Sequence, residues 1–309
     1  MDWVLLAEQF LNGFQLGVLL FLIAAGLTLT FGIMDFVNLA HGSLYMLGAF
    51  ICATFTLWTD SYLLGIAFAL PAMFIVGMLV ESVALRSLYQ RDHLDQVLAT
   101  FGLILFFNEL VQIVWPLDGM NVPIPESLDG TMSLPLGIDY SMFRAMVIGV
   151  GLLVAVLLWF GVTATRVGMQ VRAGASNRTM ATALGINISL LFSIVFGVGA
   201  MLAGLAGMLV TPILGATSGM GEQIIISTFV VIVVGGIGSI RGAFIAAVLI
   251  GLIDTMGRSF LDVLLLTVLS SNAAEAAAPA LSSMLIYLFM VVVLFVRPQG
   301  LFPPRGAEG

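Results

Sequence analysis

The sequence predicts an all-α fold, a polytopic bundle of transmembrane helices that forms a single domain over residues 1–309. The chain is 61% hydrophobic and only 9% charged, whereas a soluble domain is typically about 25% charged. Several apolar runs reach the roughly 18 residues that a bilayer-crossing helix requires. These runs do not alternate with period two, which excludes a membrane β-barrel.

We expect nine spans, and their order follows from the apolar runs. The N-terminal stretch has acidic residues and no basic region, which favours a retained first helix over a cleaved signal peptide. The predicted spans are 10–33, 42–58, 62–85, 96–115, 143–164, 187–210, 224–240, 243–261 and 280–296.

The arginines predict the orientation, because cytoplasmic loops carry an excess of basic residues. All ten basic residues are arginines, and most lie near 86–91, 166–178 and 297–305. Alternating spans place these three regions in the cytoplasm, with the N-terminus outside and the C-terminus inside. The loops 116–142 and 262–279 then face outward. Arg144 and Arg258 lie near outward ends and fit this assignment least well.

Small residues recur at four-residue spacing, as in Gly199, Ala203 and Gly207, and indicate close helix packing or faces that slide during a transport cycle. Glycine-rich stretches also interrupt the apolar pattern at 32–42 and 235–242. These breaks predict either broken helices beside a translocation path or two tight turns whose polar residues face the cytoplasmic interface. The candidate pathway residues are Asp35, Asn38, His41, Ser43, Gly235, Gly236 and Gly238.

The chain lacks the residue sets of an enzyme or of a nucleotide-binding protein. Without lysine, no Walker A phosphate loop can form, and His41 and His93 each stand alone, so we expect no metal site, no cofactor and no catalytic set. Acidic residues in or beside spans are costly and by default face a cavity or a partner. They leave open a stand-alone, ion-coupled secondary transporter or channel; these residues are Glu81, Glu109, Glu222 and Asp254.

The polar segment 166–186 interrupts the apolar chain and is predicted to form one helix. Its stripe of Met169, Ala173, Ser176, Met180 and Ala183 has helical spacing. A helix resting on lipid headgroups is one interpretation. The small side chains bury little apolar area and favour insertion into a protein groove.

Four stretches in order resemble the permeases of branched-chain amino acid-type ABC importers, most closely the shorter of the two permease subunits. The segment GMQVRA, followed by NR and ATALGIN, resembles the coupling segment of that family. Residues 27–50, 233–244 and 296–302 resemble its N-terminal signature, second glycine signature and C-terminal ending.

The resemblance implies a permease in the bacterial cytoplasmic membrane that pairs with a second, homologous permease. Two cytoplasmic ATPases would bind ATP and dock on the coupling segments, and an extracytoplasmic binding protein would deliver the substrate. No nucleic acid partner is implied. The resemblance implies a branched-chain amino acid or a related small solute such as urea, an amide or an aromatic acid as the substrate. The implied coupling residues are Arg172, Ala173, Asn177, Arg178, Ala181, Ala183, Leu184, Gly185 and Ile186.

Overall fold

The computed structural model describes residues 3–34, 36–135, 137–267 and 269–302. Within these ranges, eight helices are long and apolar enough to cross a membrane, and a ninth apolar helix is shorter. The eight are α1 Trp3–Met34, α2 His41–Thr59, α3 Tyr62–Val80, α4 His93–Val114, α5 Met142–Ala164, α8 Ile188–Leu214, α10 Ile240–Leu265 and α11 Ser271–Val296, and the shorter one is α9 Met220–Gly235. The all-α membrane fold is thereby confirmed.

The described chain also has four short elements, besides a π-helical turn at Glu81–Leu85 and a 3-10 turn at Arg86–Leu88 after α3. The polar segment forms two short helices, α6 Arg166–Ser176 and α7 Arg178–Ala183. The strands β1 Thr131–Leu134 and β2 Ile138–Ser141 pair antiparallel, with Thr131 opposite Ser141 and Leu134 opposite Ile138. This hairpin lies in the loop 116–142, which the predicted orientation places outside.

The helices group into two compact units, and the expectation of a single domain stays a prediction. One unit comprises Leu22–Pro125 and Leu153–Ile226, and α2, α3 and α8 form its centre. Gly48 of α2 lies against Gly204 of α8, and Gly207 lies against the backbone of Tyr45. Small residues therefore let these helix backbones approach closely, as the four-residue spacing predicted.

The other unit comprises Met1–Phe21, Glu126–Leu152 and Ser227–Gly309. Within it, Gly251 of α10 packs on Gly13 and Gly17 of α1. The ring of Phe21 meets that of Phe244 edge to face, with centroids 5.1 Å apart. Arg144 donates to Asn12 at 2.8 Å, and Arg258 pairs with Asp254 at 3.0 Å. Both arginines that fitted the predicted orientation least well therefore have partners within the protein.

Two predicted boundaries are wrong. The loop expected at 262–279 is mostly helical, because α10 continues to Leu265 and α11 already begins at Ser271. Alanine has the highest helix propensity, and the stretch AAEAAA at 273–278 is helical despite its low hydropathy. The seventh span was expected at 224–240, but α9 ends at Gly235 and Ser239 caps α10 by accepting from Gly242 N.

Candidate functional site

The polar segment 166–186 is two helices rather than the one predicted. The chain leaves helical geometry at Asn177, which has φ −155° and ψ 102°. The Asn177 side chain then caps α7 by accepting from Met180 N at 2.9 Å. Asparagine side chains bond to nearby backbone amides and so favour helix starts over helix interiors. The capping residue that breaks the segment was thus visible in the sequence.

One face of α6 is fixed to the end of α5. Thr165 caps α6 by accepting from Gly168 N at 3.0 Å. A Cβ at Gly168 would overlap the backbone of Gly161 and Val162, so the backbones of α6 and α5 are in contact there. Arg172 donates to the Val162 carbonyl, one of the last carbonyls of α5, where a cation is favourable. These contacts hold the segment in a defined position.

The segment also exposes large apolar side chains. Met169 is 55% exposed, Met180 60% and Leu184 75%. After α7 the chain turns at Gly185, which has φ +85°. Gly185 N donates to Thr182 O at 2.9 Å and Ile186 N to Ala181 O at 3.1 Å. This bond pair is the Schellman motif, in which glycine supplies the left-handed residue that ends the helix.

The predicted coupling residues differ in accessibility. Ala181 is buried against its own chain, so its side chain supports α7. Arg178 stacks on Phe192 of α8, with its guanidinium carbon 5.3 Å from the ring centroid. Ala173, Arg178 and Ile186 are partly buried, whereas the exposed members are Arg172, Asn177, Ala183, Leu184 and Gly185.

The first break of the apolar pattern is buried inside the protein. Asn38 is 1% exposed, His41 0% and Ser43 3%, so the alternative in which these residues face the cytoplasmic interface is wrong for them. No side-chain nitrogen or oxygen of Asn38 or His41 has a hydrogen-bond partner in the described ranges. The Ile23 backbone lies near the imidazole without reaching hydrogen-bond geometry. Asp35 lies outside the described residues.

Helix α2 starts well inside the helical unit. A Cβ at Gly26 would lie 2.9 Å from His41 Nε2 and 2.6 Å from Gly199 O. Gly26 precedes the end of α1 by eight residues, and Gly199 follows the start of α8 by eleven. At 1.5 Å per residue, the start of α2 lies roughly 12 to 16 Å inside these helix ends. This distance from the helix ends compares with a hydrocarbon core of roughly 30 Å in a bilayer.

A second helix start meets α2 at this depth. Gly42 and Gly221 touch so closely that a Cβ on either would overlap the backbone of the other. Next to Gly221, Glu222 accepts from Asn108 Nδ2 of α4. The first turns of α2 and α9 therefore lie together, with polar groups from three helices around them. The sequence singled out Glu222 but not its partner Asn108, which lies beside Glu109 in the apolar second half of α4.

The second break is a turn held by the C-terminal tail. Gly236 and Gly238 have φ +101° and +83° and connect α9 to α10. Leu301 N donates to Val234 O at 2.8 Å, and Phe302 N donates to Gly235 O at 3.1 Å. These contacts favour a tight turn with a packing role at this position. Arg305 lies outside the described residues.

A hydrogen-bonded cluster surrounds the buried carboxylate of Glu81 at the end of α3. Glu81 is 0% exposed and pairs with Arg86 Nη2 at 2.8 Å. Tyr89 donates to Glu81 at 2.9 Å, and Ser193 of α8 donates at 2.6 Å. Burial, and then the charge of Glu81, raise the pKa of Tyr89 above its usual value, so the phenol stays a donor.

These features define a class: a polytopic membrane protein with a helix that begins at depth and a fixed, partly apolar surface segment, as transporters have. The family model of the branched-chain amino acid transport system permease component matches residues 9–294. The chain belongs to this family. Membership confirms the resemblance drawn from the sequence and supports a transport permease rather than a stand-alone carrier.

Individual relatives match over nearly the whole chain. The chain is 30% identical to the high-affinity branched-chain amino acid transport system permease protein BraD of Pseudomonas aeruginosa, covering 95% of this chain and 94% of the relative. It is 28% identical to LivH of Salmonella typhimurium over the same shares. It is also 28% identical to a probable LivH of Methanocaldococcus jannaschii, over 92% and 88%. No solved structure matches the chain significantly.

Proposed function

We propose that this protein is the permease subunit of an ABC importer that passes a branched-chain amino acid or a related small polar solute. The family, and relatives that are named as branched-chain amino acid permeases, support the substrate class. Transport is driven by two cytoplasmic ATPases that dock on the polar segment of this chain and of its partner. The partner is a second, homologous permease, and a binding protein delivers the substrate from outside.

In this proposal the protein is not an enzyme and binds no cofactor, because the partner subunits bind ATP. It lies in the cytoplasmic membrane with its N-terminus outside and its C-terminus in the cytoplasm. The arginine distribution supports this orientation. Arg86 and Arg178 belong to two separate loops that the orientation assigns to the cytoplasm, and both residues contact the first turns of α8.

The exposed end of α7 carries the coupling proposal. Leu184 is 75% exposed and follows a helix that the Asn177 cap and the Gly185 turn define at both ends. Burying a leucine in a protein groove is worth about 1.5–3 kcal/mol, and a side chain on a rigid helix end loses little entropy on docking. We assign docking contacts to Leu184 and its exposed neighbours, and a supporting role to the buried Ala181.

The first break lines the substrate route in this proposal. Asn38 and His41 are polar, buried and without hydrogen-bond partners, which costs free energy unless another state uses them. Ser43 lies two residues beyond His41 in α2. An opening between the starts of α2 and α9 offers these groups, with Asn108 and Glu222, to a zwitterionic solute. Gly235, Gly236 and Gly238 act by anchoring the far end of α9.

The test is ATP-driven uptake of labelled leucine into liposomes that contain both permeases and both ATPases, with loaded binding protein outside. We expect uptake to need ATP and the binding protein. Leu184→Asp should lower uptake at least about tenfold, because a carboxylate replaces an apolar contact worth 1.5–3 kcal/mol. Leu117→Asp is the matched control, since Leu117 is also 75% exposed but lies in the loop assigned to the outside.

Two results would contradict the proposal. ATP-independent leucine uptake by this chain alone would indicate an ion-coupled carrier. Equal uptake by the Leu184→Asp and wild-type complexes would remove the docking role of α7.

A further inference from the structure

The buried cluster around Glu81 lies at a change of helix type. Helix α3 ends at Val80, and a π-helical turn follows at Glu81–Leu85, in which Arg86 N donates back to Glu81 O. Isolated π turns widen a helix at a cost and occur often at functional sites. Here the turn places the Glu81 carboxylate inward and brings Arg86 and Tyr89 back towards it.

The Glu81 carboxylate is fully hydrogen-bonded by its neighbours. Oε1 accepts from Arg86 Nε at 3.3 Å and from Tyr89 OH at 2.9 Å. Oε2 accepts from Arg86 Nη2 at 2.8 Å and from Ser193 Oγ at 2.6 Å. The Glu81 side chain is fully buried while that of Arg86 is 45% exposed, so the desolvated charge in the cluster is the carboxylate, and removing one of its partners leaves that charge less compensated. The cluster therefore fixes the position of Tyr89 relative to α8.

The Tyr89 ring joins two parts of the molecule that the transport cycle has to connect. On one side it meets Phe192 of α8 edge to face, with centroids 5.6 Å apart. The guanidinium of Arg178, the first residue of α7, also stacks on the ring of Phe192. On the other side Tyr89 meets Phe36 at 5.7 Å, and Phe36 lies two residues before Asn38 in the first break.

A continuous path of contacts thus runs from α7 through Phe192, Tyr89 and Phe36 to the start of α2. We propose that Glu81 is a positioning residue for coupling: it holds Tyr89 in this path, so that movement of α7 on the ATPases reaches the buried break before α2. This inference rests on the proposed function. Glu81 and Tyr89 touch neither ATP nor substrate, and they act through Phe192 and Phe36.

The test is the amount of leucine imported per ATP hydrolysed in reconstituted complexes. Tyr89→Phe removes one hydroxyl and keeps the ring, and Glu81→Gln removes the charge that holds the cluster. Residues along a coupling path change coupling about 2- to 30-fold, and we expect a fall in this range with ATP hydrolysis retained. The matched controls are Tyr287→Phe and Glu109→Gln, because both side chains are exposed and lie in α11 and α4.

A double substitution separates a shared path from independent damage. If Tyr89 and Phe192 act in series, Tyr89→Phe combined with Phe192→Leu should lower the import-to-hydrolysis ratio no further than the worse single variant. If the double variant instead lowers this ratio by the product of the two single effects, the proposed path is overturned. Unchanged coupling in Tyr89→Phe would overturn it, and so would failure of this mild variant to assemble, since the cluster would then serve folding.

The wild-type complex distinguishes this inference from the proposed function. If wild-type complexes import leucine with ATP but the Tyr89 and Glu81 variants match them, only the positioning role is wrong. If the wild-type chain transports leucine without ATPases, the proposed function is wrong, and the coupling path that rests on it is wrong as well.

Discussion

Replacing Gly185 by alanine tests whether the shape of α7 controls coupling. Gly185 has φ +85°, and a Cβ there would meet no atom within 4 Å, so the substitution costs conformational energy without a steric clash inside the chain. A left-handed non-glycine residue costs roughly 1–2 kcal/mol. Since 1.4 kcal/mol is tenfold in an equilibrium constant, the native turn should become about 5 to 30 times less favoured.

The assay is titration of detergent-purified permease complex with ATPase subunit. We expect Gly185→Ala to weaken ATPase binding by up to the same factor, with normal membrane insertion, and Gly185→Trp to abolish binding. Gly137→Ala is the matched control, because Gly137 has φ +74° and equally empty surroundings in the β1–β2 turn. Wild-type affinity in Gly185→Ala, or an equal loss in Gly137→Ala, would refute the reasoning.

Two further substitutions probe packing and the route. Gly48→Val should destabilise the fold, seen as a loss of the monodisperse peak in detergent, because its side chain overlaps the Gly204 backbone and overpacking typically costs about 1–3 kcal/mol. Gly102→Val, where a Cβ would meet no atom within 4 Å, should fold normally. Asn38→Leu should raise the melting temperature, since an unpartnered buried amide costs about 1–3 kcal/mol, yet should lower leucine uptake. Faster uptake in this stabilised variant would show that transport does not use Asn38.

Most of the membrane fold could be predicted from the sequence, because apolar length alone determines where a chain can cross a bilayer. The errors arose where hydropathy and secondary structure diverge. The hydropathy of residues 273–278 is too low to predict a membrane span, but their alanines favour a helix. The segment 166–186 was predicted as one helix because its apolar residues have helical spacing. The preference of Asn177 for a helix start was given less weight, and the structure breaks the helix there.

The candidate site was less predictable, because it depends on contacts distant in sequence. Glycine is the usual residue at a left-handed helix end, as at Gly185, and the glycine-rich stretch 32–42 predicted an interruption of the apolar pattern. Nothing local indicated that His41 would pack on Gly26, that Gly42 would meet Gly221, or that Tyr89 would lie between Phe36 and Phe192. These contacts depend on how close small residues let α1, α2, α8 and α9 approach.

The most direct test of the coupling claim is crosslinking from position 184 in complexes whose Cys52 is replaced by alanine. We expect Leu184→Cys to crosslink to the ATPase subunit and to resist impermeant thiol reagents applied outside intact cells. Leu117→Cys should react with those reagents and give no ATPase crosslink. Labelling of position 184 from outside, or equal crosslinking from both positions, would contradict the claim that α7 is the docking element on the cytoplasmic face.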